Sequence, residues 1–178
     1  MAELILLMGP TGSGKSVQGD RWAKQHGGVH LSSGELLRRD PVVAAKISDG
    51  KLFPSEEVQR VVGEALADVP SGTDIMLDGL PRTMSDVEWL EQELPKLGRD
   101  LSHVVLLELD TATIMKRLNA GVRKRSDDSP EAVEKKLEEF RQKTKAVVDY
   151  YEQRGLVARI DGSQDVDGVA GDIEAAIA

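Results

Sequence analysis

Residues 3–8, ELILLM, form a short apolar run without alternation, stopped by Gly9. A run of that kind predicts a strand covered on both faces, as in the interior of a parallel sheet. Lys15 to about His26 then reads as a helix closed by Gly27 and Gly28. VHL leads into SSGELL, where Ser32 and Glu35 have capping-box spacing and open another helix. A helical stretch over about Pro41 to Asp49 stops at Gly50, and a further helix starts near Ser55. DIMLD, Asp74 to Asp78, is a second strand that again runs into a glycine loop, GLPR. The helix around SDVEWLEQEL follows, with Ser85 and Glu88 as a capping-box pair. HVVLLEL, His103 to Leu109, is the next strand, and Thr111 to Asn119 the next helix. After the basic stretch GVRKRSDDSP a long helix is entered at Pro130. Within it Val133, Leu137, Phe140, Thr144, Val147, Val148 and Tyr151 recur at three- and four-residue steps as one buried stripe. LVARI and a helix from Val166 to Ala176 end the sequence.

Strands alternating with helices imply parallel strands joined by right-handed crossovers, hence a doubly wound α/β sheet. Ligands belong at the carboxyl ends of such strands, where GPTGSGKS, SSGE, DGLPR and DGSQ fall. No repeat or linker divides residues 1–178, so a single domain is expected.

Composition narrows the chemistry. With 40% hydrophobic and 30% charged residues the chain can form a core. A net charge of −8 disfavours a broad nucleic-acid surface, so any anionic ligand must be held locally. The absence of cysteine removes disulfides and thiolate chemistry and suits a reducing cytoplasm. The N-terminal apolar run is too short to span a bilayer and lacks a basic flank, so it reads as a strand and no membrane partner is expected. His26, His30 and His103 have no metal-ligand spacing and are assigned structural or surface roles.

Gly9, Gly14, Lys15 and Ser16 complete G-x-x-x-x-G-K-[ST] between a strand and a helix. Glycines let backbone N–H groups turn onto a phosphate, the lysine supplies a cation near the β and γ groups, and the serine hydroxyl can ligate Mg²⁺. The loop alone leaves a small-molecule kinase, a GTPase or an ATPase open, although the N-K-x-D expected of a GTPase is absent.

GPTGSGKSVQ, HLSSGELLR, DGLPRT, RSDD and YYEQRG, in this order over nearly the whole chain, resemble the adenylate kinase branch of the nucleoside monophosphate kinases. The resemblance implies a P-loop NTPase-like fold, a five-stranded parallel sheet with helices on both faces. It implies transfer of phosphoryl from MgATP to AMP by a monomer. Residues 33–67 would be the helical segment closing over the monophosphate, and residues 117–130 a short lid. Gly12, Ser13, Gly14, Lys15, Ser16 and Val17 would hold ATP with Arg117 and Arg123. Ser33, Arg38, Gly79, Arg82 and Asp86 would hold the acceptor. Lys15, Arg82, Arg117, Arg125 and Lys136 would carry catalysis, and Ser16 with Asp78 would hold Mg²⁺. Asp127 and Asp128 match a pair that positions the lid arginines, or they cap the helix that follows.

Three features depart from that family. Only seven residues separate Arg117 from Arg125, where long-lid members carry an inserted hairpin. Lys136 stands where the family has a phosphate-binding arginine, and Arg141 could compensate if it faces the site. Asp86 stands where adenine-specific members have glutamine. Asp86 keeps a GMP or pyrimidine acceptor open, and Lys136 and Asp86 together a nucleotide-binding regulatory module; LMGPTGSGKS would also suit another small P-loop kinase such as one acting on a sugar acid, against which SSGELLR and DGLPR argue.

Overall fold

The computed structural model describes residues 2–44, 55–120 and 129–178. Five strands form one sheet: β1 (Ala2–Met8), β2 (Val29–Ser32), β3 (Ile75–Asp78), β4 (Arg99–Glu108) and β5 (Val157–Asp161). Every pairing is parallel and the spatial order is β2-β3-β1-β4-β5. The helices are α1 (Lys15–His26), α2 (Ser33–Arg39), α3 (Pro41–Ala44), α4 (Ser55–Asp68), α5 (Met84–Lys96), α6 (Thr111–Asn119), α7 (Pro130–Glu139), α8 (Lys145–Gln153) and α9 (Val166–Ile177). Among the described residues no helix is long and apolar enough to cross a membrane.

Strand β1 has no alternation because both of its faces are covered. Leu4, Leu6 and Met8 enter one core with Ile75, Leu77, Val104 and Leu106, while Ile5 and Leu7 enter a second core with Met76, Val105 and Leu107. The first core is closed by α4, α5 and α8 through Val62, Leu90 and Tyr151, the second by α1 and α9 through Trp22 and Ile173. Removing each such aliphatic side chain from water contributes about 1.5–3 kcal/mol. A smaller cluster of Ile114, Val133 and Leu137 joins α6 to α7.

Several expected boundaries move. Strand β4 begins at Arg99, not His103, because the buried Arg99 guanidinium donates to the carbonyls of Thr73, Val69 and Pro70 and ties the strand's start to the loop before β3. Helix α5 is capped by Thr83, with Asp86 as the reciprocal acid, so the Ser85–Glu88 pair is not the box. Ser32 does precede α2, but its side chain makes no capping bond. The helix expected to continue from Pro41 is described only to Ala44, and the rest lies outside the described residues. The long helix after Pro130 is interrupted by a π-helical turn at Phe140–Thr144. The predicted stripe survives this turn, since Val133, Leu137, Thr144, Val147, Val148 and Tyr151 are all buried.

Candidate active site

The carboxyl ends of β1, β2, β3 and β5 open into a cleft of about 610 Å³. Its floor is the loop after β1. Gly14 caps α1 in a left-handed conformation and supplies no side-chain acceptor, so the first N–H groups of the helix remain available to an anion. Lys15 folds back over the loop, donating from Nζ to the carbonyls of Gly9 (2.7 Å) and Pro10 (2.9 Å) and to Ser13 Oγ (3.4 Å). Gly12, Ser13, Gly14, Lys15, Ser16 and Val17 all line the cleft, and Val17 is 53% exposed at its mouth.

Asp78, the last residue of β3, faces this loop and is buried. Its Oδ2 accepts from Ser16 Oγ at 3.3 Å and from His30 Nε2 at 3.0 Å. Burial works to raise the Asp78 pKa, but the His30 bond, the charges of Lys15 and His30, and the Ser16 bond outweigh it and hold the carboxyl below its usual 3.8. The other His30 nitrogen, Nδ1, lies 2.8 Å from Asp20 Oδ1. Two carboxylates can only accept, so this pair of contacts favours the doubly protonated ring. Burial lowers the His30 pKa and the two carboxylates more than reverse this, leaving it above 6.5. Helix α1 makes room for the ring with Gly19, where a Cβ would fall 2.3 Å from the imidazole. His30 therefore has a structural role, as its sequence context suggested, yet one directed at the site. The contact spans 48 residues, and no local pattern announces it.

The opposite wall carries unsatisfied polar groups. Arg82 donates from Nε to the carbonyl of Gly79 at 2.6 Å. Burial lowers the Arg82 pKa against the opposing charges of Asp78, Asp86 and Glu139, and Arg38 adds to the lowering. Ser33 Oγ, Arg38 Nη2 and Glu139 Oε2 are buried without a hydrogen-bond partner. Gly79 has φ +83, and a Cβ there would stand 2.4 Å from Ser33 Oγ, so only glycine permits this approach. Arg38, Arg82 and Glu139 line the same cleft, and unpartnered buried groups of this kind mark a place built for a ligand.

The remaining candidates are distributed unevenly. Arg117 lines the cleft and donates to the carbonyl of Gln164 at 3.1 Å. Lys136 also lines it, from α7. Arg123, Arg125, Asp127 and Asp128 lie outside the described residues. Arg141 does not reach the cleft. It is 61% exposed and donates to Thr111 Oγ1, whereas Lys143, which the sequence did not single out, lines the cleft from the π-helical turn. π turns recur at functional sites because they redirect a helix face. Asp86 is only 3% exposed and is not a solvent-facing helix acid. Its Oδ2 accepts the backbone N–H groups of Arg82 and Thr83, both at 3.0 Å, and its Oδ1 accepts from Gln59 Nε2 at 3.2 Å.

Comparison with known proteins agrees with this arrangement. The family model described as adenylate kinase matches residues 7–156. The chain is 38% identical over 175 residues to the adenylate kinase of Micrococcus luteus, covering 93% of this chain and 85% of that protein. It is 34% identical over 186 aligned positions to the adenylate kinase of Synechococcus sp. (strain WH7803), covering 100% of each. It is 37% identical to the adenylate kinase of Prochlorococcus marinus (strain MIT 9211), covering 99% of this chain and 98% of that protein.

Proposed function

Because the chain belongs to the adenylate kinase family and is a phosphotransferase, we propose that it transfers the terminal phosphoryl group of ATP to AMP, forming ADP from both. The observation that carries this reading is the pairing of two anion sites across one cleft. One is the loop of residues 9–16 with Lys15, and the other is the wall lined by Arg38, Gly79 and Arg82, with Ser33 Oγ buried beside Gly79. A hydrolase of ATP alone has no use for the second site.

In this reading the N–H groups at Gly12–Val17 hold the donor's phosphates and Lys15 leaves the loop carbonyls for them. Arg38 and Arg82 grip the acceptor's phosphate, with Ser33 Oγ as a further donor. Gly79 keeps space beside Arg82. Arg117 and Lys136, joined by Arg123 and Arg125, surround the transferring group, whose charge spreads over its equatorial oxygens. Glu139 serves as a resident counter-charge for Arg82 before substrate arrives. Transfer is then positioning plus charge stabilisation, and no side chain needs to act as a base of shifted pKa.

Ser16 Oγ and the Asp78 carboxylate fit Mg²⁺. They are two hard oxygen donors beside the loop, and this ion keeps several waters and binds through one or two protein groups plus substrate phosphates. When bound, Mg²⁺ neutralises charge on the β and γ phosphates. Residues 33–67 close over the acceptor, and residues 117–130 form a short lid. The proposal extends to a monomer working in the cytoplasm, where a chain without cysteine is indifferent to reducing conditions.

The test is a coupled assay for ADP from MgATP with AMP, GMP, CMP or UMP in turn. Turnover with AMP is expected. ATP binding without turnover on any acceptor would instead identify a regulatory module.

A further inference from the structure

Glu139 is a carboxylate in a cleft otherwise suited to anions. It ends α7 and lines the cleft together with Arg38 and Arg82, and its Oε2 is buried without a hydrogen-bond partner. An ionised carboxylate only accepts, so whatever satisfies this oxygen must bring a donor.

The protein around it supplies none. Lys143 stands four residues further on, and a Glu–Lys pair in that order closes readily on a regular α-helix. At the same spacing Glu35 pairs with Arg39, Arg60 with Glu64 and Lys145 with Asp149. Glu139 and Lys143 do not pair, and the π-helical turn that begins at Phe140 lies between them and widens the step. Arg82 feels the charge of Glu139, but its Nε is committed to the carbonyl of Gly79 at 2.6 Å. Among the described residues Glu139 makes no hydrogen bond or ion pair at all.

We infer that Glu139 accepts a hydrogen bond from a ribose hydroxyl of the acceptor nucleotide, so that the site favours ribonucleotides over their deoxy forms. The inference rests on the reading that Arg38 and Arg82 hold the acceptor's phosphate. A phosphate ester dianion carries acceptors only and cannot satisfy the carboxylate. The donors that AMP brings are its 2′- and 3′-hydroxyls and its 6-amino group. The hydroxyls sit on the sugar that bears the phosphate, whereas the amino group lies at the far end of the base. A carboxylate close enough to act on the phosphate-holding arginine therefore meets the sugar first. A hydroxyl bonded to an ionised acceptor makes a stronger contact than one bonded to a neutral acceptor. A nucleotide without that hydroxyl leaves the buried oxygen unpaired, which is how a site built to bond a substrate hydroxyl rejects the analogue lacking it.

The experiment compares parent, Glu139→Leu and Glu139→Gln with AMP, 2′-deoxy-AMP and 3′-deoxy-AMP at saturating MgATP, with a thermal melt of each protein. The parent should favour AMP over at least one deoxy analogue by about tenfold or more in kcat/KM, on the order of one hydrogen bond to a charged group. Glu139→Leu has no acceptor and should bring that ratio to within about twofold of unity, while Glu139→Gln keeps a neutral acceptor and should retain part of it. Titration of AMP and of the analogue without ATP gives the same comparison without turnover. If Glu139 is only a counter-charge for Arg82, both variants change AMP and the analogue equally and the ratio stays at the parent value, which overturns the inference. A parent that uses all three acceptors alike overturns it too. So does a lost preference confined to ATP over 2′-deoxy-ATP, which would place the carboxylate at the donor. If Glu139→Leu melts early, Glu139→Gln decides alone: a ratio lowered by about threefold or more upholds the inference, and a smaller change overturns it. In each of these cases a parent active with AMP leaves the acceptor reading intact. A parent inactive with AMP overturns the acceptor reading and this inference together.

Discussion

Replacing Arg82 with alanine tests the acceptor site most directly. The guanidinium spends one N–H on the carbonyl of Gly79, which leaves its terminal nitrogens for an incoming phosphate. Two charge-assisted bonds at about 1.5–3 kcal/mol each give about 3–6 kcal/mol, a loss of roughly 10²- to 10⁴-fold in kcat/KM for AMP. Folding should suffer less. Of the three carboxylates around Arg82, Asp86 is held by backbone N–H groups and Asp78 by His30, whereas Glu139 Oε2 accepts no hydrogen bond and is the most affected. Leaving one such group uncompensated costs about 1–3 kcal/mol, less than the typical margin of a domain. Arg82→Lys keeps the charge and loses the planar fork, and should recover only part of the activity. Separate titrations of AMP and ATP, with a thermal melt as control, read both effects. A drop below tenfold, or an ATP constant that moves as far as the AMP constant, would refute the assignment of Arg82 to the acceptor.

Lys15→Met should cut turnover by about 10²- to 10³-fold or more, since the cation meant for the phosphates is lost, while the melt falls only slightly because its resident bonds are confined to the loop; activity within threefold of the parent in the coupled assay would contradict this. His30→Gln should change how stability depends on pH. His30 is raised above 6.5, so its contribution is complete below that pH and is lost as pH rises through the folded value, whereas Asp78, held below 3.8, loses its contribution only as pH falls beneath 3.8. Urea unfolding from pH 5 to 9 should therefore show the parent weakening above 6.5 more steeply than the variant, and parallel curves would exclude the ion pair. Lys136→Arg restores a bidentate fork in the cleft and should raise kcat by several fold in steady-state assays without altering the melt; an unchanged kcat would place Lys136 away from the transferring group.

The sheet was legible because its signal is local. An unbroken apolar run means two covered faces, and ELILLM, DIMLD and HVVLLEL all sit in the central strands. The phosphate loop was legible for the same reason, being one contiguous motif. What escaped were contacts made by tertiary approach. The start of β4 depends on Arg99 finding three loop carbonyls some thirty residues earlier, and DLSH alone does not read as a strand. The cap of α5 fell on Thr83 and Asp86 because the loop approaches with Thr83 extended, although Ser85 and Glu88 have equally good spacing. The His30–Asp78 and Gln59–Asp86 bonds join residues 48 and 27 apart, beyond the reach of any periodicity. Arg141 misses the cleft and Lys143 lines it, because a π turn shifts the helical phase by a fraction of a turn.

Strand β1 lies at the centre of the sheet, and its partners come late in the chain. Leu4 pairs with Ile75, and Met8 with Leu106. At about 5–20 residues per second on the ribosome, the second edge of β1 waits about 5–20 s for its partner to emerge. Throughout that interval at least one edge of this apolar segment, which has low charge and no proline, is open, and such a composition favours intermolecular pairing. Conditions during synthesis should therefore govern yield more than the stability of the finished sheet does. Slower growth at low temperature, or a holding chaperone, should help, and fragments ending before β4 should be recovered as aggregate.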